Sequence, residues 1–204
     1  MALNNDIVEM DGKPAGDPTE LALFEAAHKS GFDKTTLLEI KPHLASIPFD
    51  SKRKRMTNFH QPSEGVVAYI KGAPEGILAL CRNAYEHGKA VAFESEAVLV
   101  EASRLANEGY RVLAFARREF NTLPEQLDAE TIEQDLTFLG LVALIDPPRS
   151  EVPQAVADCQ TAGITPVMIT GDHPGTAMAI ARRLGITQDE NAMLSGEELA
   201  KLSD

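Results

Sequence analysis

Apolar and polar positions along this 204-residue chain fall into segments of different rhythm. Val66-Val67-Ala68-Tyr69-Ile70 is a run of five β-favouring residues and predicts a strand, which ends on Lys71-Gly72-Ala73-Pro74-Glu75-Gly76. Pro74 suits the first turn of a helix carrying Ile77, Leu78 and Leu80. Upstream, Gly16-Asp17-Pro18-Thr19-Glu20 predicts a helix start: Asp17 caps it, Pro18 takes the first position and Glu20 completes a capping box. Leu21, Phe24 and Ala27 give that helix its buried face, and Gly31 ends it. Val98, Ala102 and Leu105 recur at helical spacing between Ser95, a cap, and Gly109, a stop. Residues 110–116 predict a strand with Arg111 at its mouth, and Asp11-Gly12 is a hairpin signal within residues 1–15.

A polar, acidic connector, 121–134, then changes the rhythm, and the domain boundary is placed after it, giving domains 1–136 and 137–204. In the second, residues 137–145 predict a strand, 150–162 a helix ended by Gly163, 164–169 a strand, and 175–184 a helix ended by Gly185. Such a βαβ unit has parallel strands and a right-handed crossover, which puts Asp146 and Thr170 at the carboxyl edge, where open α/β sheets bind ligands.

Two stretches carry candidate chemistry. At Lys71-Gly72 a cation stands beside backbone that a ligand can approach closely, because Gly72 has no Cβ. In residues 47–56 four consecutive cations, Lys52, Arg53, Lys54 and Arg55, separate Phe49 from Met56. Side by side in one sheet, the two stretches offer Phe49 and Met56 as apolar surface and Lys54 and Lys71 as charge, the outline of a nucleotide pocket. The plainer readings are a core phenylalanine, a solvated charged turn, a strand-end lysine in water and, for Glu20, a capping residue. Thr170-Gly171-Asp172 offers a hydroxyl, a close-approach glycine and a carboxylate suited to phosphoryl or magnesium chemistry, or else a helix cap.

Composition narrows the classes. At 44% hydrophobic over this length the chain can build a core, and it is globular. A net charge of -12 argues against a general nucleic-acid binder, since phosphate contacts need a basic surface and only 52–55 is a basic run. Cys81 and Cys159 have no paired spacing, so neither a zinc site nor a disulfide framework is indicated and a reducing cytosol is expected. The longest apolar stretch, 138–145, is too short to span a membrane, so no direct insertion of this segment is expected. The first residues lack the pattern of a secretory signal.

Gly16-Asp-Pro-Thr-Glu20, the stretch from Phe49 to Met56 and Lys71-Gly-Ala-Pro-Glu75, in this order, resemble P-type cation-transporting ATPases of the calcium-pump-like branch. Asp146-Pro-Pro-Arg149 and Met168-Ile-Thr-Gly-Asp172 resemble their phosphorylation domain, of the haloacid-dehalogenase-like superfamily. With the pattern above this implies an α+β protein: a nucleotide-binding domain with an antiparallel sheet flanked by helices, then a partial α/β section. The resemblance implies ATP as ligand, with adenine near Glu20, Phe49, Met56, Lys71 and Gly72, and phosphates near Lys54 and Arg111. Ser51 stands where relatives often carry an arginine, and Arg53 or Lys52 are its candidate substitutes. Thr170, Gly171 and Asp172 would align phosphoryl group and metal, with Asp146 and Arg149 helping to align the nucleotide.

The family's phosphorylated aspartate motif is absent; Asp33-Lys34-Thr35-Thr36 lacks its glycine and follows a helix stop, so Asp33 reads as a loop residue. No metal ligand set is assigned, and the sites for Mg2+ are expected mostly outside this chain. The resemblance thus implies an excised cytoplasmic part of an integral membrane pump, partnered by the remaining phosphorylation, actuator and transmembrane domains. It would bind ATP without turning it over. Two rivals stand beside it: a non-catalytic interaction module using residues 52–55, and a freestanding haloacid-dehalogenase-like phosphohydrolase.

Overall fold

The structure, a computed structural model, describes residues 1–10, 13–145, 148–170, 174–189 and 191–199. They form two compact units, Met1–Val100 with Val112–Leu144, and Glu101–Arg111 with Ile145–Asp204. The architecture is α+β.

In chain order the elements are β1 (Val8–Met10), β2 (Lys13–Ala15), α1 (Pro18–Lys29), α2 (Lys34–Ile40), β3 (His43–Asp50), β4 (Arg55–His60), β5 (Val66–Gly72) and α3 (Pro74–Leu78). There follow β6 (Cys81–Glu86), β7 (Lys89–Ala92), α4 (Ser95–Asn107), β8 (Arg111–Phe120), α5 (Ala129–Ile132), β9 (Leu136–Leu144), α6 (Val152–Thr161), α7 (Pro174–Leu184) and α8 (Gly196–Leu199). β1 and β2 pair antiparallel around the expected hairpin, whose Asp11-Gly12 lies outside the described residues.

The first unit is built on a seven-stranded sheet of order β3-β4-β5-β8-β9-β6-β7. β3, β4, β5 and β8 are successive antiparallel neighbours, whereas β9 runs parallel to β6. Alternation along the strands gives the sheet two different faces. One carries Ile47, Phe59, Ala68, Ile70, Ala114 and Ala116 into a core completed by Ile77, Leu78, Ile132, Leu136 and Phe138. On the other, the register aligns Met56, Lys71 and Phe115 across three strands. The second face holds the candidate chemistry.

α1 begins as expected: the Asp17 carboxylate accepts from the Thr19 N–H at 2.8 Å, with Pro18 in the first turn. Its buried residues are Leu23 and Ala27, and Leu21 and Phe24 are half-buried at its flanks. α2 was not expected. Asp33, read as a loop residue, caps it by accepting from the Thr36 N–H at 2.9 Å, a structural use of its carboxylate. The connector 121–134 is also ordered: it contains α5, whose Ile132 enters the core.

In the second unit α6 and α7 pack on each other, burying Val156, Ala177 and Ala181, and Gln160 donates to the Gly185 carbonyl at 2.9 Å. Residues 164–169, expected as a strand, form none. Ile164, Val167 and Ile169 are exposed there, and an apolar strand needs a neighbour that satisfies its backbone groups. Among the described residues no helix is long and apolar enough to cross a membrane.

Candidate functional site

Lys71 sits near the end of β5 and is 4% exposed, so it is no strand-end lysine in water. Its Nζ donates to the Asn4 carbonyl at 2.7 Å and forms an ion pair with Glu20 of α1. Burial pulls the Lys71 ammonium below its usual range, opposed by the hydrogen bond and charge of Glu20. Glu20 thus reaches from α1 across to the sheet.

Met56, directly opposite Lys71, is fully enclosed. Between Ile47 and Asp50 the β3 register shifts, so Pro48 and Phe49 together face the single position of Met56. Such a bulge bends a strand and re-aims its side chains. Phe49 is 62% exposed, which corrects the core reading of this residue and leaves an aromatic surface in solvent. Exposure of a large ring next to a polar cluster is the kind of surface that a flat ligand covers.

The turn from Asp50 to Arg55 carries the basic run. Asp50 accepts from the N–H groups of Lys52 and Arg53 at 3.0 and 2.8 Å, and these bonds, chiefly that of Arg53, hold its carboxyl below the usual range. Lys54 adopts φ 51°, left-handed and uncommon outside glycine, and its side chain is exposed. Its carbonyl accepts from the Ala73 N–H at 3.0 Å. Gly72 permits that approach: a Cβ there would meet the Lys54 carbonyl oxygen at 2.4 Å and Arg55 Cβ at 2.5 Å.

Arg53 and Arg55 do not belong to an exposed basic surface. Both bind Glu133, which is 1% exposed: Arg53 Nη1 donates to its two oxygens at 2.6 and 2.7 Å, and Arg55 Nε donates at 2.5 Å. Thr57 Oγ1 adds a third contact at 2.8 Å, and Arg53 Nη2 donates to the Pro48 carbonyl at 2.8 Å. Of the two candidate substitutes at the position of Ser51, Arg53 is committed to Glu133, and Lys52 is exposed.

Glu20, Met56, Lys71 and Gly72 are thereby drawn together by contact or register, with Phe49 and Lys54 on the adjoining bulge and turn. Arg111 opens β8 and is exposed; it belongs to the second unit, as do Arg149 and Thr170, both exposed. Asp146, Gly171 and Asp172 lie outside the described residues. Among the described residues no three His, Cys, Asp or Glu side chains converge on a point that could hold a metal ion.

Sequence reasoning missed Asn4 and Glu133. Asn4 also donates through its amide to the Tyr69 carbonyl, so residues 1–5 cover the same sheet face. No local pattern marks it. Glu133 has a faint signal, a carboxylate after a short capped apolar turn, but nothing nearby in sequence links it to residues 52–55. Two clefts of about 410 and 350 Å3 also open on the first unit, the larger bordered by Ala27, Phe32 and Phe115, the other by Glu64, Arg117 and Glu119. Neither is lined by Phe49, Lys54 or Lys71. The candidate site is the bulge and the residues around it, where Phe49 adjoins Met56 and the turn that carries Lys54.

Comparison with known proteins identifies the family of this chain. Residues 2–151 match the family described as P-type ATPase, cytoplasmic domain N. The chain is 38% identical over 207 residues to Calcium-transporting ATPase 1 of Bacillus cereus, covering all of this chain and 23% of that protein. It is 40% identical over 194 residues to Cation-transporting ATPase pma1 of Synechocystis, covering 94% and 21%. To the Calcium-transporting ATPase of Bacillus subtilis it is 40% identical over 209 residues, covering 98% and 23%. The chain thus spans less than a quarter of the length of these relatives. With the match covering well over half of its residues, the chain belongs to the P-type ATPases and carries their cytoplasmic N domain.

Proposed function

We propose that this chain holds ATP for a larger cation-transporting P-type ATPase, with adenine against Phe49 and the polar end of the site formed by Glu20 and Lys71. The observation that carries this reading is the bulge at Phe49, which leaves the ring 62% exposed beside the register line of Met56 and Lys71. Stacking of a base on such a ring is strong for its size. A carboxylate such as Glu20 accepts hydrogen bonds, so it suits an exocyclic amine. Lys54, held out on its turn, and Arg111 address the phosphates.

The relatives named above are calcium- or cation-transporting ATPases, and calcium is the favoured cargo of the parent on that ground. In this reading the parent couples ATP hydrolysis to transport by passing the γ-phosphoryl group to an aspartate in the remainder of the protein. Residues 1–136 serve the nucleotide, and residues 137–204 are part of the phosphorylation domain, where Thr170, Gly171 and Asp172 align the phosphoryl group and metal, and Asp146 and Arg149 help to align the nucleotide. Magnesium would take most of its ligands elsewhere in the parent. Partners are therefore ATP and the remaining phosphorylation, actuator and transmembrane domains. Alone, the chain binds ATP with a Kd on the order of 0.1–10 mM, or about 3–5 kcal/mol, and does not hydrolyse it.

The interaction-module alternative relied on four free cations. Arg53 and Arg55 are occupied by Glu133, which leaves Lys52 and Lys54 as its exposed charge. Titration of ATP, with GTP as comparison, followed by amide NMR shifts, tests the main reading. Shifts centred on Phe49, Lys71, Gly72 and Arg111, larger with ATP, are expected. No response at several millimolar ATP, or an identical GTP response confined to residues 52–55, would refute it.

A further inference from the structure

We propose that Glu133 is a positioning residue for the nucleotide, acting through the turn that carries Phe49 and Lys54. The inference rests on the ATP-binding reading and extends it to a residue that touches no ligand. Glu133 is a fully enclosed carboxylate with three side-chain donors, and all three lie on the segment 53–57. Such a group is costly to bury unless each oxygen is paired, and here both are.

Its two sides are anchored differently. On its own side, Glu133 follows α5, and its N–H donates to the Ala129 carbonyl at 2.9 Å. Arg118 of β8 donates to the carbonyls of Thr131 and Ile132 at 2.8 and 3.0 Å, fixing the end of α5 to the sheet. Ile132 is buried in the core. The carboxylate is therefore presented from a rigid base.

On the other side is a segment of irregular backbone, tied to the rest of the fold at the Lys54 carbonyl, which accepts from the Ala73 N–H. Lys54 holds a left-handed backbone, and the β3 register is broken at Pro48 and Phe49. Arg53 links the two: one nitrogen donates to Glu133 and the other to the Pro48 carbonyl, the residue before Phe49. Arg53 and Arg55 would also repel each other without a shared counter-charge. Glu133 thus closes the bulge and the turn into one geometry, in which the ring of Phe49 and the amine of Lys54 have fixed positions.

The test uses the 204-residue chain with Glu133→Gln, which keeps the shape but removes the charge and exchanges one acceptor oxygen for a donor NH2. ATP affinity is measured by amide NMR, together with Lys54 Cα and Cβ shifts in the absence of ATP, which report its left-handed backbone. Expected are loss of the Lys54 signature and a Kd raised about tenfold, because a turn that must be ordered on the ligand loses affinity. In a Phe49→Ala background the same change should raise Kd much less, since the turn then positions only Lys54. A purely structural role would lower the melting temperature while leaving the Kd of folded protein within twofold of wild type, and that result overturns the proposal. If Glu133→Gln does not fold, Thr57→Val and Arg53→Lys each remove or weaken one contact and should each raise Kd; unchanged Kd in both refutes it. Failure of the wild-type chain to bind ATP would instead refute the underlying reading, and with it any positioning role, while normal wild-type binding with an indifferent Glu133→Gln defeats this inference alone.

Discussion

Phe49→Ala is the substitution in which binding and stability separate most cleanly. The ring is 62% exposed on a strand bulge, so its removal leaves no core cavity. Folding stability should change by no more than about 0.5 kcal/mol, as for surface positions generally. Stacking of a base on an aromatic ring contributes about 1–3 kcal/mol. At 25 °C that corresponds to a Kd about 5- to 150-fold weaker. The assay is a pair of amide-detected titrations, ATP into wild type and into Phe49→Ala, with thermal melts of both. A variant that melts with the wild type but no longer responds at Lys71 and Gly72 supports an adenine platform. The reasoning fails if the variant keeps its ATP affinity within twofold. It also fails if stability drops by 2 kcal/mol or more, because the ring would then belong to the fold.

Three other outcomes follow from the same site. Gly72→Ala places a Cβ 2.4 Å from the Lys54 carbonyl oxygen, so it should destabilise the chain by about 1–3 kcal/mol in urea unfolding and displace the Lys54 amide signal; a neutral result would mean the turn yields freely. Glu20→Gln leaves the buried Lys71 ammonium with a neutral partner, and a loss of about 1–3 kcal/mol is expected in the same assay, against no change if the pair is incidental. The Asp50 carboxyl is held below its ordinary value of 3.8, so its contribution to the turn is complete above pH 3.8 and is lost as pH falls below it through the depressed folded pKa. A carboxyl 13C titration should give a midpoint under 3.8, with the Lys52 and Arg53 amides moving in step, and a midpoint at or above 3.8 would contradict the cap.

The parts of this fold that were legible in the sequence are those encoded locally. Asp17-Pro18 and Pro74 start helices through the chemistry of one or two residues, and Gly31, Gly109, Gly163 and Gly185 all take positive φ where helices were expected to stop. The run Val66–Ile70 is a strand because it is apolar on both faces, and both faces are covered. Three readings turned on a partner that is remote in sequence. Residues 164–169 have the composition of a strand but form none, since strand formation depends on a neighbour and not on propensity alone. The connector 121–134 looked polar, yet its Glu133 is buried by cations some 80 residues earlier. Strand β9, expected to open the second domain, pairs with β6 inside the first unit's sheet. The hairpin β6–β7 turns at His87-Gly88 with positive φ at both, the conformation that a tight two-residue hairpin turn requires.

The two basic stretches, separated by some fifteen residues in sequence, prove to be one device. The Lys54 carbonyl accepts from the Ala73 N–H, and this contact exists because residue 72 has no side chain. Ala73 in turn precedes Pro74, the first residue of α3, whose Ile77 and Leu78 are buried in the core. The turn bearing Lys54 is therefore tied through Gly72 and Ala73 to a helix that cannot move without opening the core. From the opposite side Glu133 holds the same turn through Arg53 and Arg55. A loop with four cations, a left-handed lysine and an exposed phenylalanine would, left to itself, sample many conformations, and ordering it on a ligand would cost affinity. Two independent ties remove that cost before the nucleotide arrives, so the exposed groups of the loop are held by buried contacts rather than by the ligand they are proposed to bind.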